Sequence, residues 1–209
     1  MAILKNGILG GFSGKVGTVI GYTLMGQEII RGRGEGRKAP FTEGELTNQQ
    51  KFGLTQAWLK PITNFLRVGF QHYAKTYEGF VAAKSYNSKN ALVYDDAGAH
   101  VDPTLALVSY GDMDLAETAS VVSESPGTVT FKWSGGRSEY DDRAMFMLYD
   151  IENGNAAFET AAVKRQLETG VLKAGEELIG KTVHAYIAFV SEDRKRRSNS
   201  QYLGLVTVL

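Results

Sequence analysis

The sequence predicts an α+β chain in three parts. A glycine-rich arm with a β-hairpin spans residues 1–40, a helical segment and connector spans 41–102, and an antiparallel β-sandwich spans 103–209. Three observations predict it. Ten of the 24 glycines fall within the first 40 residues. Thr42-Glu-Gly-Glu45 has the spacing of a helix capping box. Beyond Pro103 the apolar residues recur in short β-branched and aromatic runs bounded by turn residues.

In the arm, Val16 to Leu24 reads as a strand from its Val, Ile, Tyr and Thr content, and Met25-Gly26 as a turn into Gln27–Arg31. Alternation puts Gly17 and Gly21 on one face with Val19 and Thr23, where glycine permits close approach by a neighbour. A lone two-stranded hairpin is marginal in water, so it must pack on something.

In the second part, Thr42 is the expected N-cap, Glu45 its N3 partner, and Phe41 with Leu46 the hydrophobic staple. The helix should run from about residue 43 to Lys60, where Pro61 removes a donor. Ile62, Phe65, Leu66, Phe70 and Tyr73, with Gly69 among them, repeat at helical spacing, and the helical pattern is expected to continue towards Phe80. Ala82 to Asp102 mixes Ser, Asn, Asp and Gly and reads as a connector, with a short strand or helical turn around Ala91–Tyr94.

The third part offers strand candidates at 105–110, 128–133, 143–149, 156–163, 183–190 and 202–208, with Asn153-Gly154 as a hairpin turn. Six or seven short strands over this length predict a sandwich. Val129-Thr-Phe-Lys-Trp133 resembles the second strand of a fibronectin type III domain with its core tryptophan. Tyr186-Ile-Ala-Phe-Val190, with the loop to Ser200 and the final strand, resembles the last hairpin of that immunoglobulin-like fold.

Composition excludes several functions. There is no cysteine, hence no disulfide, thiolate zinc site or cysteine nucleophile. His72, His100 and His184 share no metal-ligand spacing. No apolar run reaches the roughly 18 residues of a membrane span, and the N-terminus lacks the h-region and cleavage site of a signal peptide. Cytoplasmic synthesis is the expectation, with a final location in an assembled particle. Lys+Arg and Asp+Glu are 23 each, yet residues 1–90 carry 12 against 5, a net of +7, and residues 91–209 carry 11 against 18, a net of −7. Opposed halves can be surfaces made to meet, one copy on another.

The chemical motifs fail one by one. Gly10-Gly-Phe-Ser-Gly14-Lys15 has Leu9 where a phosphate loop needs its first glycine and Val16 where it needs a hydroxyl. The Gly32–Lys38 run lacks dinucleotide spacing, and no aromatic interleaves its cations for base stacking. Arg194-Lys-Arg-Arg197 reads as a solvated hairpin tip. Asp95-Asp96, Asp112-Met-Asp114 and Asp141-Asp142 do not fit a calcium loop, and as catalytic carboxylates they would have to be gathered in one cleft. His184 lies within a strand pattern, which places it half-buried. No catalytic residue, cofactor or metal is implied.

Three segments carry a resemblance to one family: the run from Ile3 to Gly21, Arg67-Val-Gly-Phe70, and Ser198-Asn-Ser-Gln-Tyr-Leu-Gly204. Together they resemble proteins of Bacteroidota and their phages grouped as domain-of-unknown-function family 6266. The resemblance implies lineage, one unit of conserved length and no signal peptide, and brings no activity with it.

The expected function is therefore structural: a non-enzymatic protein that self-assembles into a homo-oligomeric particle, tube or filament, a phage virion component among the forms this could take. The partners are copies of itself, with no sequence-specific nucleic acid, membrane span or small-molecule substrate. The proposed assembly contacts are Ile3, Leu4, Ile8 and Leu9, with Lys15, Arg31, Arg33, Arg37 and Lys38. A monomeric sandwich module recognising a protein or glycan is the alternative, and an enzyme with a site built from scattered Asp, Arg and Tyr comes third.

Overall fold

A computed structural model describes residues 2–4, 10–24, 26–36, 39–73, 78–95 and 98–209. The fold is α+β and mostly β, and it divides into two compact units, Met1–Glu43 and Gly44–Leu209.

The first unit is a four-stranded antiparallel meander of β1 (Ala2–Leu4), β2 (Phe12–Val16), β3 (Val19–Leu24) and β4 (Gln27–Gly32), in that order. It replaces the expected two-stranded hairpin. The strand expected from Val16 to Leu24 is broken because Gly17, at φ +55°, opens a two-residue turn that pairs Val16 with Val19. Glycine at the first turn position matches the strand twist at no steric cost. Gly26, at φ +80°, serves the second turn between paired Leu24 and Gln27, as expected, while Met25 lies outside the described residues. Gly14 and Lys15 sit inside β2 and form no phosphate-cradling loop.

The second unit holds all but the first residue of α1 (Glu43–Leu59), then α2 (Thr63–Gly69), the two broken at Lys60-Pro61 as the sequence predicts. Ile62, Phe65, Leu66 and Phe70 are fully buried, so the helical stripe is core. The stripe stops there. Residues 74–77 lie outside the described ones, and a third helix, α3 (Gly79–Asn90), occupies much of the expected connector. A Cβ at Gly79 would overlap the Leu66 carbonyl, so glycine permits this close helix crossing. The polar residues that argued against a helix are used within it. Buried Asn87 donates to the carbonyls of Ala83 (2.9 Å) and Leu107 (2.8 Å) and accepts from Leu107 N–H (2.9 Å). β5 (Leu92–Asp95) and β6 (Gly98–Val101) then form a short hairpin.

Two further antiparallel sheets follow. One has the order β10 (Asn155–Glu159), β9 (Arg143–Asp150), β12 (Thr182–Val190), β13 (Gln201–Thr207). The other has the order β11 (Thr169–Lys173), β8 (Thr128–Ser134), β7 (Thr118–Ser125). The central strand β9 is almost wholly buried, which explains why it reads Ala-Met-Phe-Met-Leu-Tyr without polar alternation. Met145, Met147 and Tyr149 join a cluster with Trp58, Ile62, Phe65 and Phe70 of the helical region. Ala144, Phe146 and Leu148 join a second cluster with Phe131 and Trp133 of β8. The Phe131 and Phe146 rings stack at 4.4 Å, and Trp133, 3% exposed, donates Nε1–H to the Arg165 carbonyl at 2.8 Å.

Several expected strands change. Residues 105–110 form none, because their backbone is already engaged. Val108 N–H donates to Ser200 Oγ (2.9 Å), Leu107 N–H to Asn87, and Tyr110 N–H to the Gly69 carbonyl (3.0 Å). A Cβ at Gly69 would overlap the Val108 carbonyl, so glycine is what lets this segment approach α2. β7 and β11, rich in Ser, Thr and Gly, escape the sequence pattern. Asp150 pairs with Asn155, so the loop at Asn153-Gly154 has four residues and not two. There the Asn153 side chain donates to Asp150 at 2.8 Å.

Candidate functional site

Register sorts the side chains of the first unit onto two faces. Gly14, Gly21 and Ile30 stand opposite one another across β2, β3 and β4. Phe12, Val16, Val19, Thr23 and Glu28 share their face by alternation. The Phe12 ring lies over Gly21, where a Cβ would collide with it. On the other face, Lys15, Ile20 and Arg31 form one row across the strands, with Tyr22 opposite Ile29 in the next row. The Arg31 guanidinium lies 5.7 Å from the Tyr22 ring centroid.

Both faces therefore carry apolar side chains, and no further layer covers either among the described residues of the unit. Gly21 is the one buried residue among those described in this unit. Ile3, Val16, Leu24 and Ile30 are more than half exposed, with Ile3 at 67%. Strands β1 and β4 are the outer strands of this sheet. An antiparallel sheet in water ordinarily solvates one polar face and buries the other.

Of the predicted contacts, Ile3, Lys15, Arg31 and Arg33 are exposed. Leu4 pairs with Phe12 in the ladder. Ile8, Leu9, Arg37 and Lys38 lie outside the described residues.

In the second unit the loops before β7, between β8 and β9, and after β12 enclose a cleft of about 550 Å³. It brings together acids far apart in sequence: Asp114, Glu139, Asp141, Asp142, Glu192 and Asp193, against Arg137 and Arg196. The backbones of its Asp114 and Asp142 are tied by Arg165, a buried cation that the sequence reading missed and that no local pattern signals. The Arg165 guanidinium donates to the carbonyls of Asp114 (2.8 Å) and Leu115 (3.2 Å) and lies 3.9 Å over the Phe189 ring. Burial depresses its pKa, opposed by Asp142 and Asp114. Asp142 is also buried and accepts Glu139 N–H at 2.8 Å.

Two acids of the cleft are engaged by close neighbours. Asp141 pairs with Lys164 at 2.6 Å, and the same ammonium lies 3.9 Å over the Tyr140 ring. Lys195 N–H and the Ser191 hydroxyl hold Asp193 down at about 2. A general acid at neutral pH needs a shift in the opposite direction. Among the described residues no group of three His, Asp or Glu side chains is placed to hold a metal ion.

The basic run 194–197 is only partly a solvated tip. Arg196 binds Asp112 through Nε at 3.2 and 3.3 Å. Arg197 is buried and donates to the carbonyls of Gln71 and Arg194, which fastens this loop to the end of α2. His184 is half-buried, as expected, with Nδ1 2.9 Å from the Tyr202 hydroxyl, and burial lowers its pKa. No helix among the described residues is long and apolar enough to cross a membrane.

In a comparison with protein families, a family of unknown function, DUF6266, matches residues 11–204. The chain belongs to that family. No curated protein and no solved structure matches it.

Proposed function

We propose that this DUF6266 member is a non-enzymatic structural protein that assembles with copies of itself. In this reading the second unit is a β-sandwich body of fibronectin III or immunoglobulin-like kind, and the N-terminal sheet is the connector. The observation that carries it is the first unit itself: four strands with apolar side chains on both faces, and one buried residue among those described.

Fully burying a large aliphatic side chain contributes roughly 1.5–3 kcal/mol. Ordering the chain that presents it opposes this at about 1–2 kcal/mol per residue. One sheet–neighbour contact is therefore weak, while many in a ring, tube or filament reinforce one another. A virion part in phages of Bacteroidota is the setting that the family resemblance suggests.

Sedimentation velocity and negative-stain microscopy of the full chain test the reading. Discrete large particles should form as concentration rises. Removing residues 2–14 should abolish them and leave the second unit folded, since both of its hydrophobic clusters begin no earlier than Trp58. A full chain that stays monomeric at its solubility limit overturns the reading in favour of a monomeric binding module. A truncated chain that assembles equally well removes the sheet as connector.

A further inference from the structure

The two faces of the N-terminal sheet differ in charge, and the difference selects what each can meet. On the glycine-bearing face the charged group among the described residues is Glu28. The opposite face carries Lys15 and Arg31 on either side of Ile20, with Tyr22 and Ile29 beside them. Arg33, just past β4, is exposed as well.

We propose that this basic face, through the Lys15–Ile20–Arg31 row, docks on the acidic cleft of a second copy. The proposal rests on the assembly reading above and names the surface that receives the sheet. Three features support it. Neighbouring strands lie about 4.8 Å apart, so two cations on alternate strands are separated by roughly 10 Å at the backbone. That spacing lets each long side chain reach a different carboxylate around one opening. The cleft supplies them: Asp114, Glu139 and Glu192 are exposed and form no ion pair among the described residues, while Asp141 and Asp193 are engaged by Lys164 and Lys195. Finally, the exposed Tyr140 ring, 69% accessible at the mouth, offers an apolar surface to Ile20 and Tyr22. The Glu28 face would set like charge against this cleft, which complementary interfaces avoid.

Because the donor face and the receiving cleft are different surfaces, each copy gives one contact and takes another. Such a heterologous contact closes into a ring or continues as a filament.

A charge exchange in the full-length protein tests this. Lys15→Glu with Arg31→Glu makes one variant, and Glu139→Lys with Glu192→Lys makes the other. Each alone should raise the concentration needed for assembly by roughly tenfold or more, because like charges then face one another. An equimolar mixture of the two should recover part of that loss, since each can dock on the other. Added salt should weaken wild-type assembly in the same direction. All four positions are exposed, and an unchanged thermal transition confirms that each variant folds. The milder pair Lys15→Gln with Arg31→Gln serves if a reversal does not fold.

Either double variant assembling at the wild-type concentration overturns the proposal while leaving self-assembly intact, as does a mixture that recovers nothing. A monomeric wild type overturns the assembly reading itself. In that case, loss of thermal stability in the Lys15→Glu, Arg31→Glu variant would place the basic face on its own chain.

Discussion

The two units of this protein are both rich in antiparallel strands, yet they stand in opposite relations to water. In Gly44–Leu209 the central strands β9 and β12 bury both faces, alternate residues feeding two separate hydrophobic clusters. Its sheet edges are managed as well: β13 runs beside β7, β10 beside β11, and Gly127 N–H donates to the Leu209 carbonyl at 2.7 Å. Met1–Glu43 has comparable ladders and comparable β-branched content, but a single buried residue among those described. Strand formation and core formation are therefore separate events. The first needs a pattern and turns; the second needs a covering layer, which the described residues of this unit do not supply.

Substitutions of similar chemistry in the two units should expose that contrast. The largest effect is expected at Trp133. Trp133→Ala removes a buried indole that contacts Phe146 and Phe189 and donates to the Arg165 carbonyl, and should cost about 3–5 kcal/mol. For a chain of this size that is a fall of roughly 10 °C in Tm. Readily quenched Trp133 fluorescence in the wild type would contradict its burial.

Next comes a matched pair. Ile187→Ala, at a position 1% exposed in the centre of β12, should cost about 2–5 kcal/mol. Ile20→Ala, partly buried in β3, should leave the main thermal transition within about 0.5 kcal/mol of wild type at a concentration where the protein is dispersed. It should nonetheless weaken assembly. Equal destabilisation by the two changes would show that the first unit already buries its sheet in the isolated chain.

The smallest effect is electrostatic and belongs to the second unit alone. Burial lowers the folded pKa of His184, so below its unfolded value of about 6.5 the unfolded chain binds the proton more readily. Stability from this group is complete above that pH and declines as pH falls towards the folded pKa. His184→Gln should flatten the dependence below about pH 6.5, measured by chemical denaturation, while transitions of the first unit stay unaffected.

Local signals foretold the elements that local physics controls. Pro61 ends α1, the Ile62–Phe70 stripe is core, and β8, β9, β12 and β13 lie where β-branched and aromatic runs place them. The elements that went unread hold polar residues whose partners come from elsewhere. α3 contains Ser85, Asn87, Ser88 and Asn90, and Asn87 becomes acceptable there only because residue 107 supplies both a donor and an acceptor. The 105–110 segment looked like a strand until Gly69, Asn87 and Ser200 took up its backbone groups. The acidic pairs were visible as pairs, whereas their convergence at one cleft depends on three loops from separate strands.

By itself the sequence determined the chain's division into a glycine-rich sheet-forming arm, a helical stretch and a strand-rich remainder. It also determined the absence of cysteine chemistry and the family to which the chain belongs. Those are matters of composition, short-range period and turn residues, which act within a few positions of one another. Tertiary structure alone decided that Arg165 and Arg197 would be buried clamps. It alone gathered six acids around one opening. Each of those outcomes depends on which distant backbone carbonyl or side chain arrives beside a residue, and residue spacing along the chain does not encode that arrival.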